Sequence, residues 1–144
     1  MQAAGCKLSG GEWYSPYGDV YVDAPSELDV DHLVPLAEAW DFGASAWTAA
    51  EREACANDLG DDRSLIAVSA RGNRSKADRD PAEWLPRYEG YRRQYLTDWI
   101  ATKLRRQLSA DDRARSTLTE VIAACPNLPV KVRLRPLVVL RYDG

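Results

Sequence analysis

The chain has 144 residues, of which 45% are hydrophobic and 28% charged, so its length and composition fit one domain with an ordinary core. No apolar stretch approaches the ~18 residues that cross a bilayer. The first residues also lack the basic and apolar regions of a signal peptide. We therefore expect no membrane span, no intact signal peptide and a cytoplasmic location, with export as the alternative.

The net charge of -3 conceals a division along the chain. Residues 1–62 carry two Lys or Arg against thirteen Asp or Glu, a charge of -11. Residues 63–144 carry seventeen Lys or Arg against nine Asp or Glu, a charge of +8. This asymmetry predicts a cationic face that meets an anionic partner, with nucleic acid as the leading candidate. The alternative is that the two halves neutralise each other across their interface.

Three cysteines are too few and too irregularly spaced for a structural zinc site, because there is no C-x-x-C pair and only one histidine. A disulfide between Cys6 and Cys125 is the alternative that export would allow. Cys55 lies in an Ala-rich helical stretch and is typical of a small buried apolar residue.

The first part of the chain predicts short strands. Aromatic residues in the segment 10–22 suit two strands joined by a turn at residues 15–18. The segment 28–32 alternates apolar and polar residues, which predicts a further strand with Asp29 and Asp31 on one face.

Helices and one more strand follow. Thr48 and Glu51 form a capping box, and Ser109 is expected to cap the last helix. The apolar run 65–68 predicts a strand, and the alternating segment 130–135 an edge strand or a tail. Helices are predicted at 36–40, 48–59, within 73–84 and ending before Pro81, at 88–108 and at 109–124.

Candidate chemistry begins where the strand 28–32 ends, at a carboxylate beside the sole histidine, Asp31 and His32. The strand 65–68 and a polar segment starting at Asn73 follow. The motifs are DVDHLVPLAEAW at 29–40, ANDL at 56–59, LIAV at 65–68, NRSK at 73–76 and DPAEW at 80–84.

This combination resembles the HNH nucleases, also called ββα-metal or His-Me finger nucleases. In particular it is similar to bacterial HNH proteins related to the C-terminal nuclease domain of GmrSD-type modification-dependent restriction enzymes. The resemblance implies an α+β fold: a ββα-metal finger core with an insertion between the two core strands and flanking helices. Residues 1–126 would form the HNH nuclease domain, and residues 127–144 a C-terminal tail or edge strand.

The resemblance also implies a role for each matching residue. Asp31 and Asn73 would bind a divalent metal, Mg²⁺ or alternatively Mn²⁺, and His32 would be the general base that takes a proton from water. Hard oxygen ligands suit Mg²⁺, and imidazole suits proton abstraction at neutral pH. The expected products carry a 5′-phosphate and a 3′-hydroxyl.

Other residues are expected to hold the substrate or to support the site. The position that usually braces the catalytic histidine loop falls at Ser64, with Asn57 as a second support. Nucleic-acid contacts are predicted for Arg71, Arg74 and Lys76 and, on the basic helix, for Arg92, Arg93, Lys103, Arg105 and Arg106.

Simpler interpretations stand beside these. An Asp-His pair is often only a hydrogen-bonded histidine, Asn73 suits a turn or an N-cap, and the nearby cations suit a solvated face. The tryptophans are most simply core residues, and not base-stacking platforms.

The sequence thus predicts a metal-dependent DNA endonuclease with weak or partner-directed sequence specificity. The alternative is a noncatalytic nucleic-acid or protein-binding module on a decayed HNH scaffold. The expected partner is DNA, without a membrane, and the C-terminal segment is a candidate surface for a partner chain or a homodimer.

Overall fold

The computed structural model describes residues 2–3, 7–124 and 129–134. Within them, six short strands form three two-stranded antiparallel sheets. The sheets pair β1 (Gln2–Ala3) with β2 (Lys7–Leu8), β3 (Trp13–Ser15) with β4 (Val20–Val22), and β5 (Leu28–His32) with β6 (Leu65–Ser69).

Five α-helices complete the described part of the fold, which is therefore α+β as predicted. They are α1 (Leu36–Asp41), α2 (Ala49–Ala56), α3 (Ala70–Lys76), α4 (Glu89–Arg105) and α5 (Asp112–Ala123), with 3-10 turns at Pro25–Glu27 and Ala44–Ala46.

The helices α2, α3 and α5 each begin directly after a residue whose side chain caps the first turn. The predicted capping box at α2 is confirmed, because Thr48 and Glu51 bond each other's backbone N–H groups. Two starts differ from prediction. Helix α3 begins at Ala70, since the Ser69 side chain accepts from the Gly72 N–H. Helix α5 is capped by Asp111, and not by Ser109, whose hydroxyl donates to the Phe42 carbonyl.

The core combines side chains from the β3–β4 turn, α1, β6, α4 and α5. Tyr17 and Tyr95 are both buried and meet edge to face, with ring centroids 5.8 Å apart. Trp84 packs on both rings. The prediction that tryptophans serve as core residues is confirmed for Trp99, whereas Trp40 is 49% exposed.

Three buried carboxylates from the acidic half pair with cations from the basic half. They are Asp31 with Lys76, Glu38 with Lys103, and Asp58 with Arg105 and Arg106. For these charges the structure shows mutual neutralisation between the halves, the alternative interpretation of the charge asymmetry. The prediction that Lys103 and Arg105 grip DNA is wrong, because their relative exposures are only 3% and 1%.

The Asp58 cluster predicts acid sensitivity. The Arg105 guanidinium, bonded to both carboxylate oxygens at 2.8 and 2.9 Å, holds the pKa of Asp58 well below its usual range, although burial acts in the opposite direction. The folded state therefore binds this proton less readily than the unfolded chain, whose Asp pKa is about 3.9. The resulting stability is complete above pH ~4 and is lost as pH falls toward the folded pKa.

An Asp58→Asn variant tests this expectation. At pH 7 it should lose about 3 kcal/mol or more of unfolding free energy, since two cations lose their partner. Its stability should then approach that of wild type as pH falls below ~4. Urea titrations across this pH range measure both curves, and parallel curves would contradict the assignment.

The described part of the C-terminal segment, residues 129–134, forms neither helix nor strand. The Lys131 carbonyl accepts from Arg63, and the Arg133 carbonyl accepts from Arg105. The rest of the predicted tail, as well as Cys6 and Cys125, lies outside the described residues. Among the described helices, none has the length and apolar character that crossing a membrane requires.

Candidate functional site

The candidate residues lie on the antiparallel pair of strands β5 and β6 and on helix α3, which follows β6. In the register of β5 and β6, His32 is opposite Leu65 and Leu28 is opposite Ser69. Helix α3 begins directly after β6 and packs against both strands. This order brings the end of β5 and the polar helix together although about 40 residues separate them in sequence.

His32 ends β5 with a half-buried side chain. Its Nε2 lies 2.8 Å from the Ala56 carbonyl oxygen. A carbonyl oxygen can only accept a hydrogen bond, so Nε2 must carry the proton and donate. In the neutral ring Nδ1 is then the unprotonated nitrogen, which is able to accept a proton from water.

The acceptor for His32 comes from the end of a helix. Ala56 is the last residue of α2, and the final carbonyls of a helix lack intrahelical partners. Asn57 follows as the C-cap, and its side-chain amide donates to the Glu53 carbonyl at 3.1 Å. Asn57 thus lies where it stabilises the helix end that supplies the acceptor for His32.

Ser64 lies on the other side of the histidine. Its buried backbone carbonyl accepts from the Leu33 N–H at 3.2 Å, directly after His32. Its hydroxyl is 3.5 Å from an Asp58 carboxylate oxygen. The contact to the histidine segment is therefore made by the Ser64 backbone.

Asp31 is buried and bonded on both oxygens. The Tyr17 hydroxyl donates to Oδ2 at 2.5 Å, and the Lys76 ammonium donates to Oδ1 and Oδ2 at 3.0 and 2.9 Å. Lys76 also donates to the His32 carbonyl at 2.9 Å. Burial lowers the pKa of Lys76, while the Asp31 charge acts in the opposite direction. Burial, followed by the nearby Asp31 charge, raises the pKa of Tyr17.

Asn73, predicted to bind a metal together with Asp31, is hydrogen-bonded to Asp29. Its side-chain amide nitrogen donates to Asp29 Oδ2 at 3.0 Å, which leaves the amide oxygen available to another ligand. Asn73 and Lys76 are three residues apart on α3, and they face Asp29 and Asp31, two residues apart on β5. Two polar pairs therefore join the helix to the strand.

The predicted phosphate contacts occupy different environments. Arg71 and Arg74 are exposed on α3. Arg92 donates to the Pro86 carbonyl, and Arg93 is partly buried. Lys76, in contrast, has a relative exposure of 0%. In this arrangement its ammonium serves Asp31 and the His32 carbonyl, and it does not reach the surface where a phosphate would bind.

Two residues that contact the site, Asp29 and Tyr17, were not predicted from the sequence to belong to it. Asp29 has a visible signal, since its spacing of two residues from Asp31 on a strand places both on the face toward α3. Tyr17 has no local signal, because it comes from the β3–β4 turn and reaches Asp31 only through the tertiary fold.

The donor types of Asp31 and Asn73 fit a hard divalent cation. A carboxylate has about four lone-pair sites, and the Asp31 contacts to Tyr17 and Lys76 use three of them. Asn73 contributes an amide oxygen. Across residues 2–3, 7–124 and 129–134, however, no group of three or more His, Cys, Asp or Glu is assembled to hold a metal.

Comparison with known proteins agrees with these motifs. The family model described as "GmrSD restriction endonucleases, C-terminal domain" matches residues 6–121. A protein of Arthroderma benhamiae, described as an uncharacterized secreted protein, is 38% identical over 120 residues. The match covers 83% of this chain but only 58% of that relative. No solved structure matches. Because this family model matches most of the chain, the chain belongs to the family of GmrSD restriction endonuclease C-terminal domains.

Proposed function

We propose that this domain is a metal-dependent endonuclease that hydrolyses phosphodiester bonds in DNA to 5′-phosphate and 3′-hydroxyl ends. The observation that carries the proposal is the hydrogen bond from His32 Nε2 to the Ala56 carbonyl, because it leaves Nδ1 as the proton acceptor. Family membership supports a nuclease-type hydrolase with DNA as substrate.

His32 acts as the general base: Nδ1 takes a proton from the attacking water while Nε2 stays bonded to Ala56. Asp31 and Asn73 would hold Mg²⁺, or Mn²⁺ in its place, and Asp29 orients the Asn73 amide. A bound divalent ion supplies Lewis-acid stabilisation of phosphate charge. The exposed Arg71 and Arg74 guanidinium groups then bind backbone phosphates, which carry no sequence information.

A second candidate function is a noncatalytic binding module on the same scaffold. The position of Lys76 favours it, because the ammonium already neutralises the carboxylate that a metal would need. The two candidates differ in a single property, turnover that depends on a divalent metal.

Incubation with supercoiled plasmid DNA separates them. We expect nicked and linear products with Mg²⁺ or Mn²⁺ and none with EDTA. Two phosphate contacts also predict a fall in binding of about tenfold between 50 and 200 mM salt. Labelling of product ends checks for 5′-phosphates. Intact plasmid at every metal concentration, with retained salt-dependent DNA binding, would favour the binding module.

The location of the chain is a separate proposal. The secreted description of the Arthroderma benhamiae protein favours export over the cytoplasmic location predicted from the sequence. In the exported protein we propose a disulfide between Cys6 and Cys125, with Cys55 free. Nonreducing mass spectrometry of the secreted chain would detect this disulfide, and three free thiols would count against it.

A further inference from the structure

Apart from the candidate cleavage site, the structure contains a cavity of about 270 Å³ between the β3–β4 turn and helix α3. The residues 84–87, which precede α4, close its other side. Its volume lies just below the ~300–1,000 Å³ typical of small-molecule sites. The cavity therefore has room for one small molecule and not for an extended chain.

Two arginines on this cavity have no protein partner among residues 2–3, 7–124 and 129–134. Arg71 on α3 and Arg87 before α4 both line the cavity and are exposed. Within the described part of the chain, neither guanidinium has a hydrogen bond or an ion pair, whereas Arg63 and Arg105 are bonded to carboxylates. A pair of uncommitted guanidinium forks is suited to the oxygens of a phosphate.

The lining of the cavity also includes apolar and aromatic side chains. Val20, Trp84 and Leu85 line it. The Trp84 ring is held in place, since its Nε1 donates to Ser75 Oγ at 3.2 Å and its centroid lies 5.1 Å from that of Tyr17. A preformed aromatic surface next to cations matches the two parts of a nucleotide, a flat base and a phosphate.

The position of the cavity connects it to the candidate cleavage site. Arg71 and Gly72 line the cavity, and Asn73 is the next residue on the same helix. The cavity and the candidate cleavage site therefore share helix α3, on which Arg71 and Asn73, two residues apart, point to different sides.

We propose that this cavity binds one unpaired nucleotide of the substrate strand, with its phosphate on Arg71 and Arg87 and its base against Trp84. The proposal rests on the nuclease function proposed above and specifies its substrate class. A base inside a duplex cannot lie against Trp84 in this cavity without leaving the stack. Single-stranded DNA, or DNA with an unpaired nucleotide, is therefore the preferred substrate.

Binding in EDTA tests the subsite independently of cleavage. The probes are the four deoxynucleoside 5′-monophosphates, the corresponding deoxynucleosides and inorganic phosphate, titrated into wild-type protein and followed by the Trp84 indole NMR signal. At least one nucleotide should bind tenfold more tightly than its nucleoside or phosphate and shift that signal. Equal binding of nucleotide and phosphate, or no shift at Trp84, would overturn the proposal.

Variants locate the binding. Arg87→Ala should weaken nucleotide binding at least fivefold, and Val20→Phe, which fills the cavity from an exposed strand position, should do the same. Arg113→Ala is the matched control, because it removes a cation that is also exposed but belongs to α5 and does not line the cavity. If Arg87→Ala and Arg113→Ala weaken binding equally, the effect is only general charge and the subsite is wrong.

Cleavage assays then test the substrate class. With Mg²⁺, the ratio of kcat/KM for a single-stranded over a duplex oligonucleotide should exceed ten and should fall toward one in Val20→Phe. Cleavage with a ratio of one would refute the subsite and leave the nuclease intact. Nucleotide binding in EDTA without any cleavage would refute the nuclease function while the binding site stands.

Discussion

Replacing His32 with Ala is expected to lower the rate of DNA cleavage by ~10²–10⁴-fold, the usual contribution of a general base. The reason is geometric: the bond from Nε2 to Ala56 aims Nδ1 as the only ring nitrogen that can accept a proton. Loss of that hydrogen bond should cost only about 1 kcal/mol of unfolding free energy. Single-turnover cleavage of a plasmid and urea denaturation measure the two effects.

Rescue by added imidazole distinguishes a base from a structural residue. In the His32→Ala protein, free imidazole can occupy the vacated space and accept the proton, so the rate should rise with imidazole concentration. Asn57→Ala serves as a comparison, because it weakens the end of helix α2 but keeps the base. Its rate should fall less and should not respond to imidazole. If His32→Ala cleaves like wild type, the assignment of the base is wrong.

Removing one partner of the Asp31–Lys76 pair should have the largest effect on stability. Lys76→Met is expected to cost about 3–5 kcal/mol of unfolding free energy, because it leaves the Asp31 charge buried without its cation. Among the residues that the structure describes, Tyr17 alone then bonds that carboxylate. The double variant Asp31→Leu with Lys76→Met should lose much less than the sum of the two single variants.

The matched control is Arg74→Met, an exposed cation on the same helix. It should change the unfolding free energy by no more than ~0.5 kcal/mol. Urea denaturation in EDTA measures wild type and all four variants. Equal effects of Lys76→Met and Arg74→Met would contradict the buried pair.

Urea denaturation in the presence of Mg²⁺ tests whether the folded protein binds the ion. A ligand that binds only the folded state stabilises it, by ~2.7 kcal/mol at a hundred times its Kd. If Asp31 and Asn73 hold the ion, Mg²⁺ should raise the urea midpoint of wild type and leave that of Asn73→Ala nearly unchanged. A midpoint that Mg²⁺ leaves unchanged in both proteins would favour the noncatalytic binding module.

Local patterns predicted the parts of the site that depend on neighbouring residues. Alternation along residues 28–32 predicted β5 and the face shared by Asp29 and Asp31, and the structure has both. The apolar run before Asn73 predicted β6. These features follow from backbone periodicity within a few residues, so no knowledge of the tertiary fold was needed.

Local sequence patterns predict helices and strands, but they do not predict which acid pairs with which cation. The cations Lys76, Lys103 and Arg105 appear in the sequence as exposed helix charges, yet each is buried against a carboxylate more than 40 residues away. Whether a cation faces solvent or a buried acid depends on how α3 and α4 pack against the parts of the chain that carry the acids. Charge counts along the chain contain no such information.

By itself, the sequence determined the family, the α+β class and the order of strand, strand and helix that carries Asp31, His32 and Asn73. Only the tertiary structure decided the proton position on His32, the pairing of Asn73 with Asp29, and the burial of Lys76. The physical reason is the separation in sequence over which each kind of interaction acts. Periodicity and capping act between neighbours in sequence, whereas hydrogen bonds and desolvation act between groups that folding brings together.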